Sequence, residues 1–195
     1  MADGARERGR QTRTRLLRAA TELIPSLGWN AVTTRKIAER AGLPPGLVHY
    51  HFRSVAELLA EAALGTAREA VAESLRLLDE APDLPSGLRA MLHVAYTYGG
   101  QDPASVLMTE AYLAATRDQA LADRLGAVLE EFRTGLTDRL ADGAVAEPAA
   151  VSAALSALLD GLIMHRSLLT VPPVDDLAPV LLRITGLSPT EREKQ

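Results

Sequence analysis

Thr33-Thr34-Arg35-Lys36-Ile37-Ala38-Glu39-Arg40-Ala41-Gly42-Leu43-Pro44-Pro45-Gly46-Leu47-Val48-His49-Tyr50-His51-Phe52 reads as two short helices joined by a tight glycine turn. Thr33 or Thr34 suits the first N-cap, where a hydroxyl accepts an orphan backbone N–H. Ile37, Ala38 and Ala41 make a small apolar face. Gly42 follows as a stop, a position that often needs positive φ, and Leu43 can fold back on that face. Pro44 and Pro45 cannot lie inside a helix, but one of them fits the first turn of a new one. Residues 46–52 are that second helix. It is too short to persist alone and needs a scaffold. Helix, glycine turn and helix make the helix-turn-helix layout, whose second helix enters a DNA groove.

A purely structural helical corner is the competing reading, and two observations count against it. His49, Tyr50 and His51 crowd a two-turn helix, so some of them must face outward. The charge is also uneven. Residues 1–53 hold ten Lys or Arg against four Asp or Glu, a net +6, whereas residues 54–195 hold eleven against twenty-one, a net −10. A basic end on a chain of net charge −4 is the footprint expected of phosphate binding.

Thr33 through Leu43, His49-Tyr50-His51-Phe52, Ser54 and Glu57-Leu58-Leu59 together resemble the DNA-binding domain of the TetR family of bacterial transcriptional regulators. The match is specific over about residues 10–60, and the remainder agrees in length and helical character. The resemblance implies an all-α homodimer of about nine helices that represses transcription and releases DNA when a small ligand binds. Carried onto this chain, Pro45, Gly46, Leu47 and His49 match groove-facing positions, and Tyr50 and His51 match positions that contact the DNA backbone. Base recognition would then lean on thymine methyls, on His49 and on DNA shape. Two positions depart from the family pattern. Pro44 or Pro45 stands where a serine or threonine is frequent, and Val55 stands where a lysine is common, with Arg53 a candidate replacement charge.

Thr33 and Thr34 offer a hydroxyl and backbone N–H groups to a phosphate, and Arg35 and Lys36 add charge. Arg6, Arg8, Arg10, Arg13 and Arg15 either follow phosphates from an N-terminal arm or simply solvate it.

The rest of the chain bounds the alternatives. There is no cysteine among the 195 residues, hence no disulfide framework, thiolate zinc site or cysteine nucleophile. Four histidines are scattered, and no HExxH, GxSxG or phosphate-cradling glycine loop appears. No cofactor, metal site or catalytic residue is expected. A helical enzyme or carrier that keeps the fold without binding DNA is the alternative from another class. No apolar signal segment or membrane-spanning run is evident, so a cytoplasmic protein with no membrane partner is expected.

Helical periodicity divides the chain into a disordered arm (1–9), a DNA-binding domain (10–53) and a ligand-binding and dimerisation domain (54–195). Helices are expected over 10–27, with Pro25 kinking or shortening the first, then 54–79, 86–98, 104–116, 118–141, 147–169 and 175–184. Ser54 and Glu57 suggest a capping box, and residues 99–103 a break. Trp29 is expected to pack the junction with the body.

His93, Tyr96, Met108, Tyr112, Phe132, Met164 and His165 are candidate effector-lining residues, or else ordinary core. Leu155, Leu158, Leu159 and Leu162 on one late helix, with Leu177, Val180, Leu181 and Ile184 on the next, are candidate dimer residues, or equally monomer core. The partners implied are a palindromic double-stranded DNA operator, a second copy of the chain and a small effector.

Overall fold

The computed structural model describes residues 2–98 and 100–187. Gly99, in the expected 99–103 break, and residues 188–195 of the expected C-terminal domain lie outside the described residues. Among the described residues the fold is all-α, with nine α-helices and no strand. The helices are α1 (Ala2–Leu27), α2 (Thr34–Ala41), α3 (Gly46–His51), α4 (Val55–Glu80), α5 (Leu84–Thr97), α6 (Pro103–Ala115), α7 (Gln119–Asp142), α8 (Pro148–Arg166) and α9 (Val174–Ile184). A single 3-10 turn, Trp29–Ala31, follows α1.

Two expectations for α1 differ from what is observed. The helix starts at Ala2, where an irregular arm over 1–9 was expected. Glu7 pairs with Arg10 and accepts from Gln11 Nε2 at 3.1 Å, one-turn contacts that carry the helix toward its start. It runs through Pro25, so the early end offered as one alternative does not occur, and it closes at the expected stop, Gly28, whose φ of 80° turns the chain. Pro25 sits in the last turn, so little helix remains beyond it to be broken.

The described chain forms two compact units. The first runs to Ala67 and adds Val106–Leu125; the second is Arg68–Ser105 with Gly126 onward. Helices α4, α6 and α7 therefore contribute residues to both. In the first unit, Leu16, Ala20 and Ile24 of α1 are buried, as are Ile37, Ala38 and Ala41 of α2, Val48 of α3 and Phe52. Helix α4 opens with Ser54 Oγ accepting the Glu57 N–H at 3.1 Å. The Glu57 carboxylate reaches the Arg53 N–H at 2.6 Å, one residue before the usual capping-box partner.

The second unit is built around Leu88, Met91, Leu92, Leu136, Leu140, Leu155 and Leu181. Helix α5 packs on both α8 and α9. Where the sequence reading found no membrane-spanning run, one helix among the described residues is long and apolar enough to cross a membrane by length and composition: α8, with 19 residues and mean hydropathy 1.4. Its length and apolarity also suit a helix with one face in the unit's core and another open groove face, described below.

Candidate nucleic-acid interface

The reading head is α2 and α3 laid against α1. Of the two candidate caps for α2, Thr33 serves: its Oγ1 accepts the Lys36 N–H at 3.4 Å. The helix stops where the chain enters a left-handed conformation at Gly42 (φ 63°, ψ 41°). There the Leu43 N–H bonds Ala38 O at 2.9 Å and the Gly42 N–H bonds Glu39 O at 3.1 Å, the paired bonds of a Schellman stop. Arg15 of α1 closes the same end, its Nη2 donating to Ala41 O at 2.6 Å. A Cβ on Gly42 would lie 3.3 Å from that Nη2. Gly42→Ala is therefore expected to lower stability by about 1–2 kcal/mol, the cost of forcing an L side chain into this region. Thermal unfolding measures it, and an unchanged midpoint would contradict the role given to the turn.

Helix α3 begins with the Leu47 and Val48 N–H groups bonded to Pro44 O and Pro45 O at 3.0 and 3.1 Å. Val48 and Phe52 face inward and are buried. Leu47, for which both a core and a groove role were open, is half-buried. The outward face carries Pro45, Gly46, His49 and Tyr50. Tyr50 is 81% exposed, and its ring meets the half-buried His51 edge-on at 5.1 Å. On α2, Arg35 and Lys36 are exposed, and Thr34 is half-buried beside the exposed Thr33. Lys36 Nζ donates to Ala31 O at 2.8 Å, which holds it at the start of α2.

Two of the arginines read as part of a phosphate-following or solvated arm, Arg13 and Arg15, have partners far away in the sequence. Besides Arg15, Arg13 donates to Glu61 at 2.9 Å and lies 5.0 Å from the Phe52 ring centre. Glu61 of α4 also accepts from Arg124 of α7 at 2.9 Å, so one carboxylate ties α1, α4 and α7 together within the first unit. Burial pushes the Glu61 carboxyl up, but the bonds from Arg13 and Arg124 outweigh it and hold it below the ordinary 4.5. A depressed carboxylate contributes stability above its unfolded value and loses it as the pH falls. The stability gap between wild type and Glu61→Gln should therefore be full above pH 4.5 and close as the pH drops through the lowered folded value. Denaturant unfolding at a series of pH values checks this; a gap independent of pH would contradict it.

A further long-range bond joins the head to α6. The Trp29 N–H donates to Glu110 Oε2 at 2.7 Å. The sequence reading expected a packing role from the Trp29 side chain; this bond is made by its backbone, within the first unit.

Comparison with known proteins agrees with this geometry. Residues 16–62 match the model of the bacterial regulatory proteins of the tetR family, and residues 86–183 match the C-terminal domain of BetI-type transcriptional repressors. The chain belongs to the TetR family of bacterial regulators. Similar proteins include an HTH-type transcriptional regulator of Mycobacterium bovis, 26% identical over 90% of this chain and 93% of its own. A solved protein of Streptomyces coelicolor A3(2), named as a transcriptional regulator, is 29% identical with a TM-score of 0.75, over 90% of this chain and 98% of its own. The multidrug binding protein EbrR, solved with imidazole, is 30% identical with a TM-score of 0.65, over 93% of this chain and 98% of its own. This TetR-family chain is a DNA-binding transcriptional regulator.

The candidate effector and dimer residues of this TetR protein separate in the structure. Met108 and Tyr112 lie on α6 in the first unit, half-buried. His93, Tyr96, Phe132, Met164 and His165 belong to the second. Phe132 is buried in that unit's core, whereas His93, Met164 and His165 are exposed. Leu155, Leu159 and Leu181, offered as dimer residues, are also core, because each packs inward among Leu88, Leu92 and Leu136. Leu158, Leu162 and Leu177 are half-buried, and Val180 and Ile184 are 41% and 47% exposed.

An apolar groove of about 350 Å³ runs along this face of α5, α8 and α9. Leu158, Leu162, Leu177, Val180, Leu181 and Gly161 line it, together with His165. His165, read from sequence as an effector contact, thus shares a surface with the dimer candidates.

Two polar groups of α8 escaped the sequence reading. Asp160 is buried enough that desolvation pushes its carboxyl above the ordinary 3.8. Arg166 stacks on Tyr96. Neither has a motif around it, and only the fold shows their burial. Among the described residues no group of three His, Cys, Asp or Glu is placed to hold a metal ion.

Proposed function

We propose that this regulator is a cytoplasmic repressor that binds a palindromic double-stranded DNA operator as a homodimer and leaves it when a small, mostly apolar effector binds. The observation that carries this reading is the outward face of α3. Tyr50 and His49 project from a helix whose inner side is locked by Val48 and Phe52. An exposed aromatic on a rigid, basic-flanked helix serves contact with a partner better than it serves the fold. Thr33, Thr34, Arg35, Lys36, Tyr50 and His51 hold the phosphates, and Pro45, Gly46, Leu47 and His49 meet the bases.

One module makes too few contacts for specificity, so two act together across a symmetric dimer. Leu158, Leu162, Leu177, Val180 and Ile184 form its interface. An effector in the C-terminal domain favours a dimer whose two α3 helices no longer fit adjacent grooves, a shift of population between two forms. The name of the relative EbrR, a multidrug binding protein, supports a small-molecule effector. The protein acts through binding, without a catalytic step.

A gel shift with a mixed pool of duplex DNA tests the reading. Binding should fall steeply between about 50 and 200 mM salt as counterions compete for phosphates. Small-molecule extracts of the host should release the complex. Absence of salt-sensitive binding would overturn the reading.

A further inference from the structure

The Trp29–Ala31 turn stands between α1 and the first helix of the reading head. Its internal bond, from the Ala31 N–H to Gly28 O, is long at 3.2 Å. Its N-cap is Gly28, which has no side chain to accept the turn's first N–H. The acceptor comes instead from Glu110 of α6, whose Oε2 takes the Trp29 N–H at 2.7 Å. The carboxylate lies over the same corner. A Cβ on Gly28 would stand 3.7 Å from Oε2 and 3.9 Å from Oε1. Both partners belong to the first unit.

The far end of the turn holds a side chain of the reading head. Ala31 O accepts from Lys36 Nζ at 2.8 Å. Lys36 is exposed and stands in the first turn of α2, whose N-cap is Thr33. A lysine carries three donors on a flexible four-carbon stem. The bond to Ala31 O uses one donor and fixes the stem, so the other two can meet phosphate oxygens. Glu110, the turn and Lys36 thus form a continuous chain of contacts from α6 to the start of α2.

We propose that Glu110 is a positioning residue for DNA binding: by holding the Trp29 N–H it fixes the Trp29–Ala31 turn, and through Ala31 O it holds Lys36 ready for a phosphate. This deepens the phosphate role given to Lys36 above and rests on it.

Glu110→Gln and Glu110→Met test the role. Both remove the charge, so they differ in the acceptor oxygen, which glutamine keeps and methionine lacks. Fluorescence anisotropy on the purified full-length protein with the mixed duplex pool should place Glu110→Gln close to wild type. Glu110→Met should bind about tenfold to a hundredfold more weakly, because ordering one long side chain contributes about threefold to tenfold on each of two heads. Lys36→Ala should itself weaken binding across the pool and lower the salt slope by about one per head. In the Lys36→Ala background, Glu110→Gln and Glu110→Met should bind alike, an equality that a general loss of stability would not produce. If Glu110→Met loses its helical circular dichroism, Glu110→Asp takes its place; one methylene short of the contact, it should bind more weakly than Glu110→Gln. Binding by Glu110→Met, or by Glu110→Asp in its place, as tight as that of Glu110→Gln would overturn the role of Glu110. A difference that persists in the Lys36→Ala background would overturn the route through Lys36 and leave the phosphate role of Lys36 standing. Wild-type binding by Lys36→Ala alone would contradict that role and the route together.

Discussion

Tyr50→Ala is expected to lower operator affinity about thirtyfold to 150-fold, because a phenol–phosphate hydrogen bond contributes about 1–1.5 kcal/mol and a symmetric dimer makes it twice. The melting temperature should move by no more than about 1 °C, since exposed side chains contribute little to stability. Both halves of the expectation come from one observation. Tyr50 is 81% exposed and its ring meets that of His51 edge-to-face, so removing it leaves the helix packed through the buried Val48 and Phe52. Fluorescence anisotropy on a labelled operator, alongside a thermal melt, reads the two effects separately. Unchanged affinity would mean that a different face of α3 meets DNA.

Val180→Glu combined with Ile184→Glu is expected to convert the dimer to a monomer and to reduce operator affinity by a factor on the order of 10²–10⁴, the gain that linking two weak sites provides. Both side chains sit on the exposed side of α9, 41% and 47% open in the single chain. Four carboxylates brought together in a symmetric apolar interface would lack partners, and burying unpaired charge is prohibitive. The single chain should stay folded, with its helical circular dichroism intact. Leu181→Ala provides the contrast. That side chain is 2% exposed, so it should cost about 2–5 kcal/mol of chain stability through a core cavity rather than act at the interface. Sedimentation velocity distinguishes the cases. A double variant that remains dimeric would place the interface elsewhere.

These cases show where sequence is informative and where it stops. The helix-turn-helix was legible because its signals are local: a threonine cap, a glycine stop and a double proline, all within 20 residues of one another. Helix positions further along were legible for the same reason, through the 3.6-residue period and proline or glycine breaks. The roles of Arg13 and Arg15 were not, since their partners lie 48 and 26 residues away. The Glu110 bond to the Trp29 N–H spans 81 residues and involves a backbone donor, which leaves no mark in the sequence.

The late helices show a different limit. Leu155, Leu158, Leu159 and Leu162 share one helical stripe, and periodicity treats them alike. Only packing separates Leu155 and Leu159, which face the core, from Leu158 and Leu162, which line the groove. The start of α1 failed in the other direction. Its charged residues suggested an arm, yet contacts such as Glu7 to Arg10 and Gln11 are local helix support.

Selection of bound sequences from random duplex DNA, followed by determination of the protein-to-DNA ratio, puts the whole reading to one trial. A dimer with two α3 heads predicts an inverted repeat whose half-sites lie about one helical turn apart, occupied by an even number of chains. Recovery of no enriched sequence, or of an asymmetric site bound by a single chain, would contradict it.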